Sequence, residues 1–336
     1  MRIREQVALA AHTTLGLGGP ARYWTEIEEE AEVPEALGWA RERKLAVQVL
    51  GAGSNVLAAD GGFDGLVLHI ALGGVRFFED GRVEAGAGED WDALAGASVA
   101  RGWAGIECLS GIPGTVGATP VQNVGAYGQE VSETIIRVRA WDREQETWAE
   151  LRNEDCGFGY RASRFNGRDR GRFVIIAVEF RLRPGGAACV RYPELQRKAP
   201  PGATLAEVRA AVRELRRGKA MLLEEGDPDA RSAGSFFKNP VVPSAAAPPQ
   251  APRFPAGDGY VKIPAAWLIE QAGIGQGFRL PGSGIHVSGK HVLALVNDGS
   301  GSAAEAAALA GHIRAAVERR WGVRLETEPV AVGVSL

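Results

Sequence analysis

The sequence predicts an α+β fold divided into two domains. The chain has 336 residues, and single domains usually contain roughly 100–200 residues. Short apolar runs bounded by glycine, proline or polar residues outnumber long amphipathic segments, which is typical of many short strands and few long helices. A Pro-Gly-Gly sequence at 184–186 marks the predicted boundary. The predicted domains are therefore residues 1–185 and residues 186–336.

The first predicted domain mixes two helices with several strands. A helix is predicted at residues 28–44, because Pro34 lies near its first turn and basic residues crowd its end. A second helix, rich in small residues, is predicted at 91–101. Apolar or alternating runs predict strands at 45–50, 65–72, 81–86, 134–141 and 173–182.

The second predicted domain begins with a basic helix at residues 205–217, and Lys219 follows it. The arginines of this helix are Arg209, Arg213, Arg216 and Arg217. Basic residues at helical spacing usually form a solvated face. The alternative is a clamp for phosphate groups, and Lys219 is its preferred member because it lies at the helix end.

The rest of the second predicted domain contains two more helices and a strand. Residues 240–257 are rich in proline and alanine and predict a loop. A helix is predicted at 263–272 and a strand at 291–296. Ser302 and Glu305 form a capping-box pattern that opens a final helix ending near Trp321. Its predicted apolar face consists of Leu309, Ile313 and Val317.

Composition argues against several classes of function. A net charge of −3 gives no general affinity for nucleic acid or anionic membranes. The apolar run at 7–11 is too short for a signal peptide, and no run approaches the roughly 18–20 residues that span a bilayer. Cys108, Cys156 and Cys189 have no metal or redox spacing, which predicts buried thiols in a reducing compartment. We therefore expect a cytoplasmic protein without a metal site.

Residues 105–128 form a glycine-rich segment, G-I-E-C-L-S-G-I-P-G-T-V-G-A-T-P-V-Q-N-V-G-A-Y-G. Free amide N–H groups in such turns form anion-binding concavities, so a diphosphate is the predicted ligand. A plain surface loop is the alternative, because glycine also collects wherever chains turn. Ile106, Leu109 and Val116 instead indicate a buried segment whose polar groups need a partner.

The first glycine turn in chain order follows the strand predicted at 45–50 and reads Gly51-Ala52-Gly53-Ser54-Asn55. It is similar to the start of a Rossmann fingerprint, but Val56 stands where the third glycine would be and no helix pattern follows. Two separate glycine turns therefore predict one extended dinucleotide that is held at two points.

Three polar motifs are candidates for chemistry: Y-R-A-S-R-F at 160–165, S-A-G-S-F-F-K-N-P at 232–240 and L-E-T-E-P at 325–329. Taken singly, they suit a surface arginine, a turn serine and a solvated strand edge. Together they offer an arginine that can hold a carboxylate, a serine that can protonate an enolate, and a glutamate that can shape the field around developing charge. No G-x-S-x-G elbow is present, which disfavours a hydrolase.

Together, these motifs extend over nearly the whole chain and resemble the UDP-N-acetylenolpyruvoylglucosamine reductase (MurB) family. The resemblance implies a two-lobed FAD-binding domain of the vanillyl-alcohol-oxidase (PCMH) type at 1–185. A substrate domain at 186–336 would follow, with its tail near 322–336 packing back toward the flavin. Residues 191–195 are similar to the tyrosine loop of the family's long form. Residues 240–257 depart from the family pattern, in which relatives often keep a helix.

The resemblance also implies a reaction in two halves. NADPH reduces a non-covalently held FAD, which then reduces UDP-N-acetylglucosamine enolpyruvate to UDP-N-acetylmuramate for peptidoglycan synthesis. By this resemblance, Arg161 and Glu328 stabilise the intermediate whose charge spreads into the carboxylate, and Ser235 protonates the adjacent carbon. The implied enzyme is a monomer that acts on a small molecule and binds neither nucleic acid nor membrane.

Contacts with the cofactor and the substrate are implied in the same way. The implied FAD contacts are Gly51, Ala52, Gly53, Ser54, Asn55, Gly111, Ile112, Pro113, Gly114, Val116, Gly117, Gln122, Asn123, Gly125 and Ala126. The implied substrate contacts are Tyr127, Tyr192, Lys219, Asn239 and His291.

Three other functions compete with this interpretation. An oxidase or dehydrogenase of the same FAD fold could act on a hydroxy acid or sugar lactone, but it would give no reason for S-F-F-K-N at 235–239. A non-catalytic flavin-binding or regulatory protein would not need Arg161, Ser235 and Glu328. A nucleotide-sugar-binding module without flavin is the third alternative, and it would be colourless.

Overall fold

The computed structural model describes residues Met1–Leu336. The chain forms two compact units, each assembled from segments that are distant in sequence. The first unit comprises Met1–Val7, Ala21–Ala52 and Asp64–Arg217, and the second comprises Ala8–Pro20, Gly53–Phe63 and Gly218–Leu336. These units are defined by contacts between residues. The division at residue 185 separates a predicted FAD-binding domain from a predicted substrate domain, and it stays a prediction.

The helices and strands are numbered in chain order. Helices α1–α6 are Glu32–Glu42, Trp91–Ala100, Pro193–Gln196, Leu205–Arg217, Ala265–Gln271 and Ala303–Trp321. Strands β1–β21 are Arg4–Ala8, Pro20–Ile27, Ala46–Leu50, Val56–Ala58, Phe63–Ile70, Val75–Phe77, Arg82–Gly86, Trp103–Ala104, Gly125–Ala126, Gln129–Glu130, Ile135–Asp142, Thr147–Arg152, Phe173–Arg181, Arg183–Pro184, Ser232–Ser235, Val241–Pro243, Phe254–Pro255, Tyr260–Lys262, Ile285–Val287, Ala294–Asn297 and Val330–Val332. Short 3-10 helices cover Leu9–His12, Glu107–Leu109, Val116–Ala118, Val131–Glu133, Asn153–Cys156 and Ser244–Ala246.

Two sheets and helices α1 and α2 form the core of the first unit. The larger sheet has the order β12-β11-β13-β7-β6, and the other has the order β1-β2-β5-β3. Strand β13 is the central strand of the larger sheet and is buried from Val174 to Phe180, which explains the apolar run at 174–178. Asp90 caps α2 by accepting the N–H of Ala93 at 2.7 Å, and the Trp91 indole donates to the Leu109 carbonyl at 3.0 Å. Helix α2 is thereby joined to the glycine segment.

The second unit contains small sheets and two packed helices. The sheets have the orders β15-β20-β19 and β16-β18-β17, and β21 pairs with β4 in parallel. The predicted capping box at Ser302 and Glu305 is present, and Leu309, Ile313 and Val317 are fully buried. None of the six helices is long and apolar enough to cross a membrane.

One predicted element differs in kind. The loop predicted at 240–257 contains strands β16 and β17, which both pair with β18 to form a three-stranded sheet. The prediction of a loop throughout was wrong, because the chain beyond residue 257 supplies the central strand and no local pattern shows it.

Candidate active site

The glycine segment, residues 105–128, is an internal part of the first unit. Ile106, Leu109 and Val116 have no exposed surface, so the alternative of a plain surface loop is wrong. Gly111 and Gly114 have φ angles of 72° and 135°, which side chains other than glycine rarely adopt. The segment therefore needs glycine for its backbone path.

Three amides of this segment are available to a ligand. The N–H groups of Ile112, Gly114 and Thr115 make no hydrogen bond within the protein. Neighbouring free amides in a glycine turn form a concavity with positive potential, which suits a diphosphate. The residues present therefore fit the diphosphate of FAD.

The first glycine turn begins beside this concavity. A Cβ added to Gly51 would lie 2.5 Å from Thr115 Oγ1, so any larger residue would force the Thr115 side chain to move. Ala52 ends this stretch of the first unit, while Gly53, Ser54 and Asn55 belong to the second unit. Within the first unit, the structure thus brings the two predicted FAD-binding turns into contact.

Arg161 lies in a tight turn that packs on the glycine segment. The turn is closed by hydrogen bonds between Gly159 and Ala162, and Arg161 adopts a positive φ of 52°. The Arg161 guanidinium donates to the Gly125 carbonyl at 2.7 Å. Asn123 donates to the Gly159 carbonyl at 3.0 Å, so the motif at 160–165 and the glycine segment hold each other in place.

Positive φ angles recur at the predicted site. Asn123, Tyr127 and Arg161 have φ angles of 45°, 48° and 52°, although none of them is glycine. Such conformations cost free energy and persist where the surroundings impose them, often at functional sites. Gln6, Lys44, Glu146 and Ala220 also have positive φ angles, so this conformation is found at the predicted site but is not confined to it.

The sequence named Arg216 only as one of four arginines of the basic helix and did not predict its burial. This side chain is buried, and its Nε donates to the Gly111 carbonyl at 3.0 Å. Burial lowers the pKa of Arg216 to about 10, Tyr127 and Asp92 oppose this effect, and the cation of Arg161 adds to it. The guanidinium therefore stays charged at neutral pH beside the glycine segment.

The interpretation of helix α4 as a solvated basic face was wrong for three of its arginines. Arg209 and Arg213 both form ion pairs with Asp92, and Arg216 contacts Gly111. The spacing of 209, 213 and 216 places these side chains on one helix face, which is the signal that could have revealed them. Lys219, the preferred phosphate contact, follows α4 and belongs to the second unit.

In the second unit, the structure brings three predicted site segments together. Strand β15 ends at Ser235, and the next residue, Phe236, accepts the backbone N–H of Glu328 at 2.9 Å. Phe237 forms a bridge with Thr327. The Asn55 side chain donates to the Glu328 carbonyl at 3.2 Å. The predicted proton donor, the predicted glutamate and the end of the first glycine turn are therefore neighbours.

The surroundings of Ser235 suit a shielded hydroxyl. Phe236 and Phe237 are buried, and Gly234 has a φ of 68° that turns the chain just before the serine. Thr14, which the sequence analysis also missed, donates to the Ser232 carbonyl at 2.6 Å and the Ser54 carbonyl at 3.4 Å. Arg161 belongs to the first unit, so its convergence with Ser235 and Glu328 stays a prediction.

The predicted substrate contacts occupy both units. Tyr127 and Tyr192, in the first unit, pack edge to face with centroids 5.7 Å apart. Burial raises the pKa of Tyr127 to about 12, so its hydroxyl is neutral at pH 7. In the second unit, Asn239 accepts the N–H of Ala265 through its side-chain oxygen at 2.8 Å. His291 donates its backbone N–H to Ser288 Oγ at 3.3 Å.

Glu107 holds the chain just before the tyrosine loop, residues 191–195. Its fully buried carboxylate accepts the N–H of Gly105 at 2.7 Å, the N–H of Cys189 at 2.7 Å and the side-chain amide of Gln129 at 3.0 Å. Cys108 donates its thiol to the Cys189 carbonyl at 2.9 Å. Both polar groups of the Cys189 backbone are therefore fixed.

Glu107→Gln is expected to lower the free energy of unfolding by about 1–3 kcal/mol, because an amide group then faces backbone donors that need an acceptor. Thermal unfolding and hydrogen exchange at the Cys189 amide measure the effect. Glu179→Gln, which alters a buried carboxylate that pairs with Arg82 and Arg137, is the control. Faster exchange at Cys189 in the control than in Glu107→Gln would contradict this role.

Comparison with known proteins identifies the family. The model for "UDP-N-acetylenolpyruvoylglucosamine reductase, C-terminal domain" matches residues 227–332, and the model for "FAD binding domain" matches residues 21–151. The UDP-N-acetylenolpyruvoylglucosamine reductase of Saccharopolyspora erythraea is 47% identical, over 98% of this chain and 95% of the relative. The chain belongs to the UDP-N-acetylenolpyruvoylglucosamine reductase family.

Further comparisons agree with the UDP-N-acetylenolpyruvoylglucosamine reductase family. The enzyme of that name from Thermobifida fusca is 42% identical, over 99% of this chain and 98% of the relative. The crystal structure of the reductase MurB from Thermus caldophilus matches with a TM-score of 0.70 at 25% identity, over 98% of this chain and 99% of that chain. The predicted α+β fold with an FAD-binding domain and a MurB-type C-terminal domain is confirmed.

Proposed function

We propose that Arg161, Ser235 and Glu328 act directly in the reaction of the family. The protein is an FAD-dependent oxidoreductase that reduces UDP-N-acetylglucosamine enolpyruvate to UDP-N-acetylmuramate with NADPH, in peptidoglycan synthesis. The observation that supports the proposed roles is the hydrogen bond from the Glu328 N–H to the carbonyl of Phe236, the residue after Ser235, together with the hydrogen bond from Asn55 to the Glu328 carbonyl.

Bound FAD supplies the redox step, in which a hydride passes from NADPH to the methylene carbon of the enol ether. The side chains of the protein then control charge and protons. Electrons displaced by this addition move to the adjacent carbon and into the carboxylate of the substrate. Arg161 would hold that carboxylate through its planar donors, which match two oxygens at once. Stabilising charge that develops in the transition state is the usual source of a large rate effect.

Ser235 would donate the proton that the adjacent carbon receives. An aliphatic hydroxyl is a weak acid, so it protonates a strongly basic carbanion and leaves weaker bases unaltered. The buried rings of Phe236 and Phe237 limit water at this side of the strand, which favours transfer from the serine. The backbone of Glu328 is fixed by hydrogen bonds with Phe236 and Asn55. Its carboxylate would orient the Arg161 guanidinium and shape the electric field around the charge that develops on the substrate.

Cofactor binding would use the backbone as well as side chains. The free amides at Ile112, Gly114 and Thr115 would donate to the FAD diphosphate, and the buried cation of Arg216 would add favourable charge nearby. Gln122, Asn123, Gly125 and Ala126 continue the same segment and remain proposed contacts to the cofactor. Lys219, Asn239 and His291 remain proposed contacts to the sugar nucleotide.

Tyr192→Phe is expected to raise the KM for the enolpyruvyl substrate by about two- to tenfold with a smaller change in kcat. The tyrosine side chain is 39% exposed, so its hydroxyl can reach a bound nucleotide, and one hydrogen bond contributes about 0.5–1.5 kcal/mol. Steady-state kinetics at saturating NADPH measure the change. Tyr260→Phe, at a tyrosine that is 49% exposed, is the matched control. An unaltered KM in Tyr192→Phe would reject the role of a substrate cover.

A single anaerobic experiment tests the proposed function. The purified protein should be yellow, should bleach when NADPH is added, and should regain its colour only when UDP-N-acetylglucosamine enolpyruvate follows. A colourless protein would support a nucleotide-sugar-binding module. Recovery of colour in air as fast as with the substrate would support an oxidase.

The proposal also includes a monomer acting in the cytoplasm. All three cysteines are free and buried, which suits a reducing compartment. Light scattering of the purified protein measures its mass in solution, and a dimer would reject the monomer. Fractionation of cells that express the full chain tests the compartment.

A further inference from the structure

Asp92 of helix α2 contacts the backbone of the glycine segment. It is the second residue of α2, and its side chain is 23% exposed. One carboxylate oxygen, Oδ1, accepts the backbone N–H of Gly111 at 2.6 Å. Asp92 belongs to none of the motifs that carry the family resemblance. The residue it contacts, Gly111, comes directly before the segment that holds the three free amides.

Three arginines of α4 complete this arrangement. Arg209 binds both Asp92 oxygens, at 2.6 Å and 3.0 Å, and Arg213 binds Oδ2. Arg216 donates to the Gly111 carbonyl at 3.0 Å. Both polar groups of the Gly111 backbone are therefore fixed: Asp92 of α2 accepts its N–H, and Arg216 of α4 donates to its C=O.

This pair of hydrogen bonds determines where the next amides point. Gly111 has a left-handed φ of 72°. Because glycine has no side chain to restrict its backbone angles, other contacts must fix the peptide groups on either side of it. The free N–H groups of Ile112 and Gly114 follow within three residues. Fixing both polar groups of Gly111 pre-organises these donors, and pre-organisation raises affinity by lowering the entropic cost of binding.

The charge of Asp92 does not oppose an anionic ligand. Asp92 faces Arg209 and Arg213, and Arg216 lies on the other side of Gly111, so the cluster carries an excess of positive charge. Burial raises the pKa of Asp92, but hydrogen bonds from Arg209 and Gly111 outweigh this effect and keep the pKa below its usual value. The carboxylate is thus ionised across the neutral range.

We infer that Asp92 is a positioning residue for FAD, which sets cofactor affinity by orienting the amides of residues 111–115 through Gly111. The inference rests on the proposed contact between these amides and the FAD diphosphate. Asp92 itself touches neither cofactor nor substrate in this scheme.

The test compares Asp92→Ala and Asp92→Asn in the FAD-loaded full chain. Serial dilution followed by flavin fluorescence gives the FAD dissociation constant. Asp92→Ala should raise it roughly tenfold to a hundredfold, because the charge-assisted hydrogen bond to Gly111 is removed. Asp92→Asn should raise it less, since its amide oxygen can still accept from Gly111. The KM for the enolpyruvyl substrate at saturating FAD should remain within about twofold, because Asp92 makes no interaction with the substrate in either the ground state or the transition state.

Asp142→Asn is the matched control. Asp142 also binds an arginine, Arg172, through both oxygens and accepts backbone N–H groups from Glu144 and Gln145. None of these hydrogen bonds involves Gly111. The control should lose thermal stability while its FAD dissociation constant stays unaltered.

Three outcomes would overturn the inference. They are an unaltered dissociation constant in Asp92→Ala, an equal loss of affinity in Asp142→Asn, and an equal loss in Asp92→Asn and Asp92→Ala. If Asp92→Ala does not fold, the FAD dissociation constants of Asp92→Asn and Asp142→Asn are compared instead. A rise in Asp92→Asn that is no larger than the rise in Asp142→Asn would overturn the inference. A wild-type chain that binds no flavin would instead reject the proposed function.

Discussion

Ser235→Ala is expected to slow the substrate half of the reaction by roughly a hundredfold to ten-thousandfold, the usual contribution of a positioned proton donor. Reduction of the flavin by NADPH should stay close to the wild-type rate, since that half needs no proton on carbon. Anaerobic stopped-flow absorbance resolves the two halves: bleaching reports the first and recovery of colour reports the second. The expected loss therefore lies in the recovery of colour.

Ser232→Ala is the control for this experiment. Ser232 belongs to the same strand and accepts the N–H of Gly234 at 3.4 Å, but it is buried and has no proposed chemical role. It should leave both half-reactions within a few-fold of wild type. Equal losses in both halves of Ser235→Ala would show a general disturbance of the site and would remove Ser235 from the proton transfer.

Local patterns predicted much of the fold. The helix predicted at 205–217 is observed as Leu205–Arg217, and the capping box at Ser302 begins α6 as expected. Each depends on signals within a few residues: an amphipathic period in the first case and reciprocal side-chain caps in the second. The strand predicted at 173–182 is observed as β13, Phe173–Arg181, and it too was predicted from a local pattern, its run of apolar residues.

The errors at element ends have local causes that only coordinates reveal. The first helix was predicted from residue 28 but begins at Glu32, because the Glu32 carboxylate accepts the N–H groups of Glu28 and Glu29 and holds them in a turn. The strand predicted from residue 291 begins at Ala294, because Ser288 Oγ accepts the N–H of His291. Both side chains compete with the backbone for its hydrogen bonds.

Long-range contacts set the rest of the candidate site. The motifs named Arg161, Ser235 and Glu328, but no pattern could show that Asn55 would bind the Glu328 carbonyl. Arg216 has the same chemistry as the exposed Arg217 beside it, and only the packing of α4 makes it a buried cation. Burial of a charge depends on what lies opposite it, and this information is not local.

Arg161→Ala is expected to reduce the rate of flavin reoxidation by the enolpyruvyl substrate by roughly thirtyfold to several thousandfold. Truncating one partner of a hydrogen-bonded charge pair costs about 2–5 kcal/mol, and every 1.4 kcal/mol is about tenfold. Arg161→Lys should recover part of this loss, since it restores the charge but not the planar pair of donors. Reduction by NADPH should change little in either variant.

Arg164→Lys is the control within the same motif, because Arg164 pairs with Asp169 and the Asp155 carbonyl instead of the glycine segment. Arg161 also donates to the Gly125 carbonyl, so its loss could disturb the backbone of the glycine segment. The FAD dissociation constant separates these effects. A weaker flavin complex would indicate a structural role for Arg161, whereas unaltered flavin binding with slow reoxidation requires that the guanidinium act on the substrate. Reoxidation at the wild-type rate in Arg161→Ala would exclude the carboxylate contact.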